Sequence, residues 1–342
     1  MTYDLAVDIG TTNICVSLFE DNISVYSEKI KNSLSKYGTD IMTRLSHYKN
    51  NEMLKKQFQA ALFSDIIYLI NSFNCHPTRF RNVLIAGNTV MLYFMIEKDA
   101  IPLGRYPFEG SITDNDIVHF KKAFIKQLGA VENITIPPII GGYVGADMFS
   151  VLYWINKNMS TSNFMVIDLG TNAELAIKSA SKWWVASTAA GPAFGFQGSN
   201  LIKNVADGLR SNSISRDGQL KDTDYPVSQA QIRNLQLAKS AIYTGIETLI
   251  SISKIPTANI DTIYIAGVFG SLLTADDILE IKLIPHIKSK IIIIGNASLS
   301  GLEEMNKNYP EISFSIITDH LHFVELANTE QFSVNYVKNM NF

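Results

Sequence analysis

At 342 residues the chain exceeds the usual size of one domain, and its 46% apolar content is enough for two packed cores. Its 29 Lys and Arg against 32 Asp and Glu leave a formal charge of −3, with no basic block of the kind that binds nucleic acid. Two cysteines are too few for a self-contained iron–sulfur ferredoxin or zinc site, and neither a signal peptide nor an apolar run of transmembrane length is visible, so a soluble cytoplasmic protein is expected.

Residues 3–9 and 14–19 read as short apolar strands joined by the turn Asp8-Ile9-Gly10-Thr11-Thr12, with 23–30 as a third strand. Cys15, inside the second strand, reads as a buried inert thiol. Cys75 lies in a polar break and reads as more accessible, which leaves open a cluster shared across a dimer. The polar segment 33–51, with Lys36, Arg44 and His47, reads as mobile or ligand-facing, its helix content undecided. Leu54, Phe58, Leu62, Ile66 and Leu69 recur at three- and four-residue spacing and predict a helix over 53–71. Residues 83–86 form a buried strand that turns through Gly87-Asn88-Thr89 into a helix ending near Met95. Asn88 or Thr89 caps that helix, with a ligand-facing Asn88 as the alternative.

Pro102, Gly104, Pro107 and Gly110 mark an insertion near 100–136 that contains one helix at 114–128, and Pro137-Pro138 cannot sit within a central strand. The small-residue run from Gly141 to Asp147 then enters an apolar helix and is expected to be the first crossing between lobes. This places a first lobe at 1–156 and a second at 157–342.

The second lobe repeats the opening, with strands at 164–168, 173–179 and 183–187 and the turn Asp168-Leu169-Gly170-Thr171-Asn172. A carboxylate is costly to bury without a partner, so Asp8 and Asp168 belong at exposed strand ends. Beside each, a glycine turn brings backbone N–H groups close and Thr or Asn offers short polar groups, a fitting place for hydrated Mg2+ and a phosphate chain. Two copies suggest two lobes presenting matching turns to one nucleoside triphosphate. The blander alternative is that Asp-Gly pairs mark ordinary hairpins.

Farther on, the small residues of Ser187 to Phe194, including Gly191, either pass close to a phosphate or adenosine or form an irregular connection. A short helix to about residue 208 follows, and no Walker-type phosphate loop occurs anywhere. Ser228 and Gln231 have the spacing of a capping box and open the clearest helix, with Ile232, Leu235, Lys239, Ile242, Ile246 and Leu249 on its stripe. Lys239 interrupts that stripe; it either snorkels to solvent or meets nucleotide phosphate or a facing acid. A strand at 262–266 leads into Gly267-Val268-Phe269-Gly270, alone a weak nucleotide signal. A helix within 272–283, an apolar strand at 291–294 and a helix near Leu302 complete the pattern, and the end, with Phe323, Leu326, Phe332 and Phe342, packs back onto the second lobe.

With both acidic turns and the run Ile265 to Gly270 in place, the chain resembles the actin, Hsp70 and sugar-kinase (ASKHA) superfamily. It is more closely similar to the ATPase domain of reductive activators of corrinoid proteins, through Val7 to Thr12, Ala86 to Thr89, Gly142 to Asp147, Ile167 to Glu174, Ser187 to Phe194 and Leu235 to Lys239 in order. The resemblance implies an α/β, two-lobed actin-like fold with duplicated ribonuclease H-like domains and a nucleotide cleft between lobes. It implies that Asp8 and Asp168 organise Mg2+ around ATP and carry catalysis. Gly10, Thr11, Thr12, Gly170, Thr171 and Asn172 would meet phosphate, and Gly267 and Gly270 would border adenosine. Asn88, Gly191 and Lys239 complete the candidate nucleotide contacts.

The function implied is an ATPase whose lobe closure helps return a corrinoid protein from cobalt(II) to cobalt(I). The partner would be a corrinoid protein or corrinoid-dependent methyltransferase, and a homodimer is also implied. The ferredoxin-like domain of full activators is not evident here, and the stretch after Phe194 is abbreviated, so a separate low-potential donor such as a ferredoxin is expected. The same fold also suits a small-molecule kinase or a non-enzymatic, nucleotide-gated regulatory protein.

Overall fold

The chain opens with a hairpin because two apolar runs flank a glycine turn. In the computed structural model, which describes residues 2–49, 51–73, 75, 77–188, 198–267 and 273–342, β1 (Tyr3–Ile9) pairs antiparallel with β2 (Asn13–Glu20). All seven residues of β1 are buried, as befits a central strand, whereas β3 (Ile23–Lys31) is a largely exposed edge strand beside β2.

The undecided segment after β3 is ordered by caps. Asn32 caps a 3-10 turn at Ser33–Tyr37, and Asp40 caps α1 (Ile41–Tyr48) by accepting from the Thr43 N–H. The helix α2 (Glu52–Asn71) follows, and β4 (Arg79–Gly87) returns parallel to β1, with α3 (Thr89–Met95) leaving its end.

The expected insertion near 100–136 proves to belong partly to the sheet. Its helix α4 (Asp114–Leu128) starts at a Thr113/Asp116 capping box, and β5 (Ala130–Thr135) pairs parallel with β4 as the fifth strand. β5 stops before Pro137-Pro138, which cannot donate to a ladder. The helix α5 (Ala146–Asn158) follows, and the sheet order is β3-β2-β1-β4-β5.

The next sheet repeats this plan. The strands β6 (Phe164–Leu169), β7 (Ala173–Ser179) and β8 (Lys182–Thr188) form an antiparallel meander. The helices α6 (Gly198–Arg210) and α7 (Gln229–Ser253) follow, α7 opening at the expected Ser228/Gln231 box. Then come β9 (Thr262–Ala266), parallel to β6, α8 (Ala275–Glu280) and β10 (Lys290–Gly295), parallel to β9. The strand order β8-β7-β6-β9-β10 matches β3-β2-β1-β4-β5 in both pairing and direction.

Beyond β10 lie α9 (Ala297–Lys307), α10 (Ser315–Thr318), β11 (Leu321–Phe323), which extends the second sheet beside β8, and α11 (Glu330–Lys338). The chain divides into two compact units, Met1–Met159 with Ala297–Thr318, and Ser160–Asn296 with Asp319–Phe342. The expected second lobe of 157–342 therefore needs correction, because α9 packs on α5, β1 and β4. Steric fit accounts for this. Gly301 lies so close to α5 that a Cβ there would stand 2.0 Å from the Ser150 carbonyl oxygen. Among the described residues no helix is long and apolar enough to cross a membrane.

Candidate phosphate turns and their surroundings

In the first unit, Asp8 near the end of β1 pairs with Ala86 of β4, with Gly87 next; in the second, Asp168 near the end of β6 pairs with Ala266 of β9, with Gly267 next. The glycines serve the packing. A Cβ on Gly87 would stand 2.6 Å from the Ile9 carbonyl oxygen, and one on Gly267, at φ +90, would stand 2.4 Å from that of Leu169 and 2.7 Å from Asp168 Oδ1. Gly267 thus lies directly against the candidate carboxylate.

Asp8 is 8% exposed, and Ser298 Oγ in the first turn of α9 donates to its Oδ1 at 3.0 Å. Asp147, in the first turn of α5, accepts from the Met148 N–H at 2.9 Å. It keeps some accessible surface, yet the chain packed around it strips most of its hydration. Burial first, then the charge of Asp8, push the Asp147 carboxyl up to about 7. Gly145 permits this crowding, since a Cβ there would meet Gly87 O at 2.3 Å and Thr89 N at 2.7 Å. No role was predicted for Asp147 or Ser298 from sequence. The available signal for Asp147 was an acid, alone in a glycine-rich run, directly before an apolar helix.

The turn after Asp8 is held by its carbonyls. Gly10 O accepts from Asn32 Nδ2 at 2.8 Å, Thr11 O from Arg44 Nη2 at 2.7 Å, and Thr12 O from the Asn32 N–H at 2.9 Å. Arg44 is completely buried, so the segment expected to be mobile or ligand-facing instead places a cation behind the turn. Asn88 caps α3, its Oδ1 accepting from the Val90 N–H at 3.0 Å. In the second unit the Gly170 N–H donates to Asn172 O at 2.9 Å, and Asp168, Gly170, Thr171 and Asn172 all remain partly accessible.

Two expectations concern glycines, Gly191 and Gly270, that lie outside the described residues. Lys239 does not snorkel to solvent: it is 1% exposed, its Nζ donates to Asn341 O at 2.6 Å, it lies over the rings of Tyr243 and Phe342, and among the described residues no acid pairs with it. Burial pushes this ammonium down to about 8. A groove of about 740 Å3 in the second unit, lined in part by Lys203, Arg210, Arg216, Asp277 and Glu280, carries a network of opposite charges that already pair.

Among the described residues no three His, Cys, Asp or Glu side chains come together as a metal-binding group.

Residues 3–160 match the family model described as the RACo middle region, and residues 162–201 and 207–342 match that of the C-terminal domain of RACo, the ASKHA domain. The chain belongs to the RACo family. Its fold is α/β and actin-like, with two ribonuclease H-like domains. A solved structure of a reductive activator for corrinoid, iron-sulfur protein superimposes on this RACo-family chain with a TM-score of 0.82 at 22% identity, covering 100% of this chain and 66% of that one. The corrinoid activation enzyme RamQ of Eubacterium limosum is 25% identical over 422 aligned positions, covering 99% of this chain and 70% of RamQ. The Co(II) methylated amine-specific corrinoid protein reductase of Methanosarcina barkeri is 22% identical over 280 positions, covering 61% of this chain and 51% of that protein.

Proposed function

We propose that this RACo-family chain is an ATPase that binds Mg-ATP through its acidic turns at Asp8 and Asp168. Its nucleotide cycle would assist reduction of a corrinoid protein from cobalt(II) to cobalt(I). The observation that carries the nucleotide part is the duplication itself. Two sheets of the same order put Asp8 and Asp168 at equivalent strand ends, each beside a glycine turn bearing Thr or Asn. The corrinoid part draws on the named activities of the relatives.

The local chemistry fits a divalent cation in the first unit, where Asp8 and Asp147 repel one another and Asp8 has a hydroxyl donor at one oxygen. When bound, Mg2+ would neutralise phosphate charge and so lower the barrier to hydrolysis. Asp8 and Asp168 would hold it, while Thr11, Thr12, Thr171 and Asn172 would donate to phosphate oxygens. Gly267 would border the nucleoside, and Gly191 and Gly270 are the further glycine candidates for nucleotide contact. Asp147, whose carboxyl titrates near neutrality, is suited to take a proton from an attacking water. Ser298 would keep Asp8 oriented.

The electron would come from a low-potential donor such as a ferredoxin. Coupling requires that the corrinoid protein bind the nucleotide states unequally. The test is an anaerobic assay in which a purified corrinoid protein is offered an external one-electron reductant and cobalt(I) formation is followed by absorbance, with and without this chain and Mg-ATP. Acceleration that depends on both, and is lost in Asp8→Asn and Asp168→Asn, is the expected result. Equal rates with and without nucleotide would remove the coupling.

A further inference from the structure

Arg44 is buried to 0% exposure on α1, and its guanidinium meets neutral groups. Nε donates to Gly38 O at 3.0 Å, Nη2 to Thr11 O at 2.7 Å, and Nη1 lies 3.2 Å from Met91 Sδ. Among the described residues no carboxylate is hydrogen-bonded to it or ion-paired with it. The acid whose charge reaches it, Asp40, has its own carboxylate engaged by the N–H and hydroxyl of Thr43. Burial pushes the guanidinium down to about 10, which leaves it charged at neutral pH. A buried cation without a counter-charge is unfavourable in the isolated protein, so its presence calls for a reason.

The reason lies in which groups it and Asn32 hold. Between them they draw the carbonyls of Gly10, Thr11 and Thr12, three in succession, onto protein donors. Across a planar trans peptide the N–H points opposite to the C=O, so fixing the Gly10 and Thr11 carbonyls aims the N–H groups of Thr11 and Thr12 away from these donors. Among the described residues neither N–H is given to another group. Consecutive N–H groups aimed outward, with a cation behind them, form a concavity for an anion.

We infer that Arg44 is the buried counter-charge for a phosphate group bound on the far side of the Gly10–Thr12 turn, and that Arg44 and Asn32 are positioning residues for that turn. This rests on the nucleotide reading above and concerns the first unit alone. Arg44 itself does not touch the ligand. It acts through the Thr11 peptide and through its field, which low-dielectric surroundings leave poorly screened.

The test separates field from position. Arg44→Met removes both; Met91→Glu leaves the bond to Thr11 O in place but supplies a carboxylate where the thioether now meets Nη1; Arg44→Lys keeps the charge. Binding of Mg-ATP and of adenosine, which lacks phosphate, is measured by calorimetry on the full chain, with circular dichroism to verify folding. The expectation is that Arg44→Met and Met91→Glu each weaken Mg-ATP at least tenfold, that Arg44→Lys recovers part of the loss, and that adenosine binding is unchanged throughout. If Arg44→Met does not fold, Met91→Glu decides. Wild-type Mg-ATP affinity in Met91→Glu would overturn the counter-charge role, and an equal loss of adenosine affinity would reduce Arg44 to a structural residue. Failure of the wild-type chain to bind Mg-ATP at all would instead remove the nucleotide reading on which this rests.

Discussion

Replacing Asp147 by Asn should make the ligand-free protein more stable above neutral pH and less active. Burial and the charge of Asp8 raise the Asp147 carboxyl from 3.8 to about 7, so the folded chain holds a proton that the unfolded chain has already released. Stability therefore declines as pH rises through that window and levels off above it. At about 1.4 kcal/mol per pH unit, the fully ionised pair costs the native state no more than about 4 kcal/mol. Asn keeps a side-chain oxygen for the N–H groups of the α5 first turn but cannot ionise. The variant should melt on the order of 10 °C above wild type near pH 8, taking about 2–4 °C per kcal/mol for a unit of this size, and close to wild type near pH 4. Thermal melts followed by circular dichroism at the two pH values make the comparison. Adding Mg2+ should narrow the gap by stabilising wild type, and Asp8→Asn should flatten the wild-type pH dependence, because it removes the charge that helps raise Asp147. A melting difference of the same size at both pH values would refute this account of the pair. ATP turnover in Asp147→Asn should fall about a hundredfold or more, the loss typical of removing a general base.

Gly267→Ala forces a Cβ to within 2.7 Å of Asp168 Oδ1 at a backbone φ of +90, so Mg-dependent turnover should drop while the second unit still folds; unchanged turnover would mean Asp168 is not used as proposed. Lys239→Met should leave Mg-ATP turnover within about twofold of wild type, since the ammonium is given to Asn341 O, and a large loss of nucleotide affinity would restore its candidacy. In wild type the buried ammonium is held below its ordinary 10.5, at about 8, so stability should rise between those pH values, and that rise should vanish in the variant when urea midpoints are compared. Gly301→Val places side-chain carbons against the Ser150 carbonyl and should cost roughly 2–3 kcal/mol in urea unfolding; an unaltered midpoint would show that α9 does not pack so closely on α5.

Much of the fold was legible because the signals are local. The Ser228/Gln231 box declares a helix start within four residues, and the runs at 3–9 and 164–168 declare buried strands without reference to the rest of the chain. The pairing of an acid with a glycine turn, twice, likewise needs no long-range information. The fate of residues 297–318 was not legible, since an amphipathic helix specifies that it must pack but not on which partner, and the choice was made by the fit of Gly301 against Ser150.

The candidate site divides in the same way. Local sequence determined the positions of Asp8, Asp168 and their turns, because a strand end, a glycine and a short polar side chain specify one another over a few residues. Tertiary structure decided how the ionisable groups are used. Asp147 acquires a near-neutral carboxyl from surroundings that include Asp8, Lys239 is taken up by the backbone of Asn341, and Arg44 is buried behind the Thr11 carbonyl. Desolvation and charge depend on which distant groups surround a side chain, and that is settled when the sheets and helices pack.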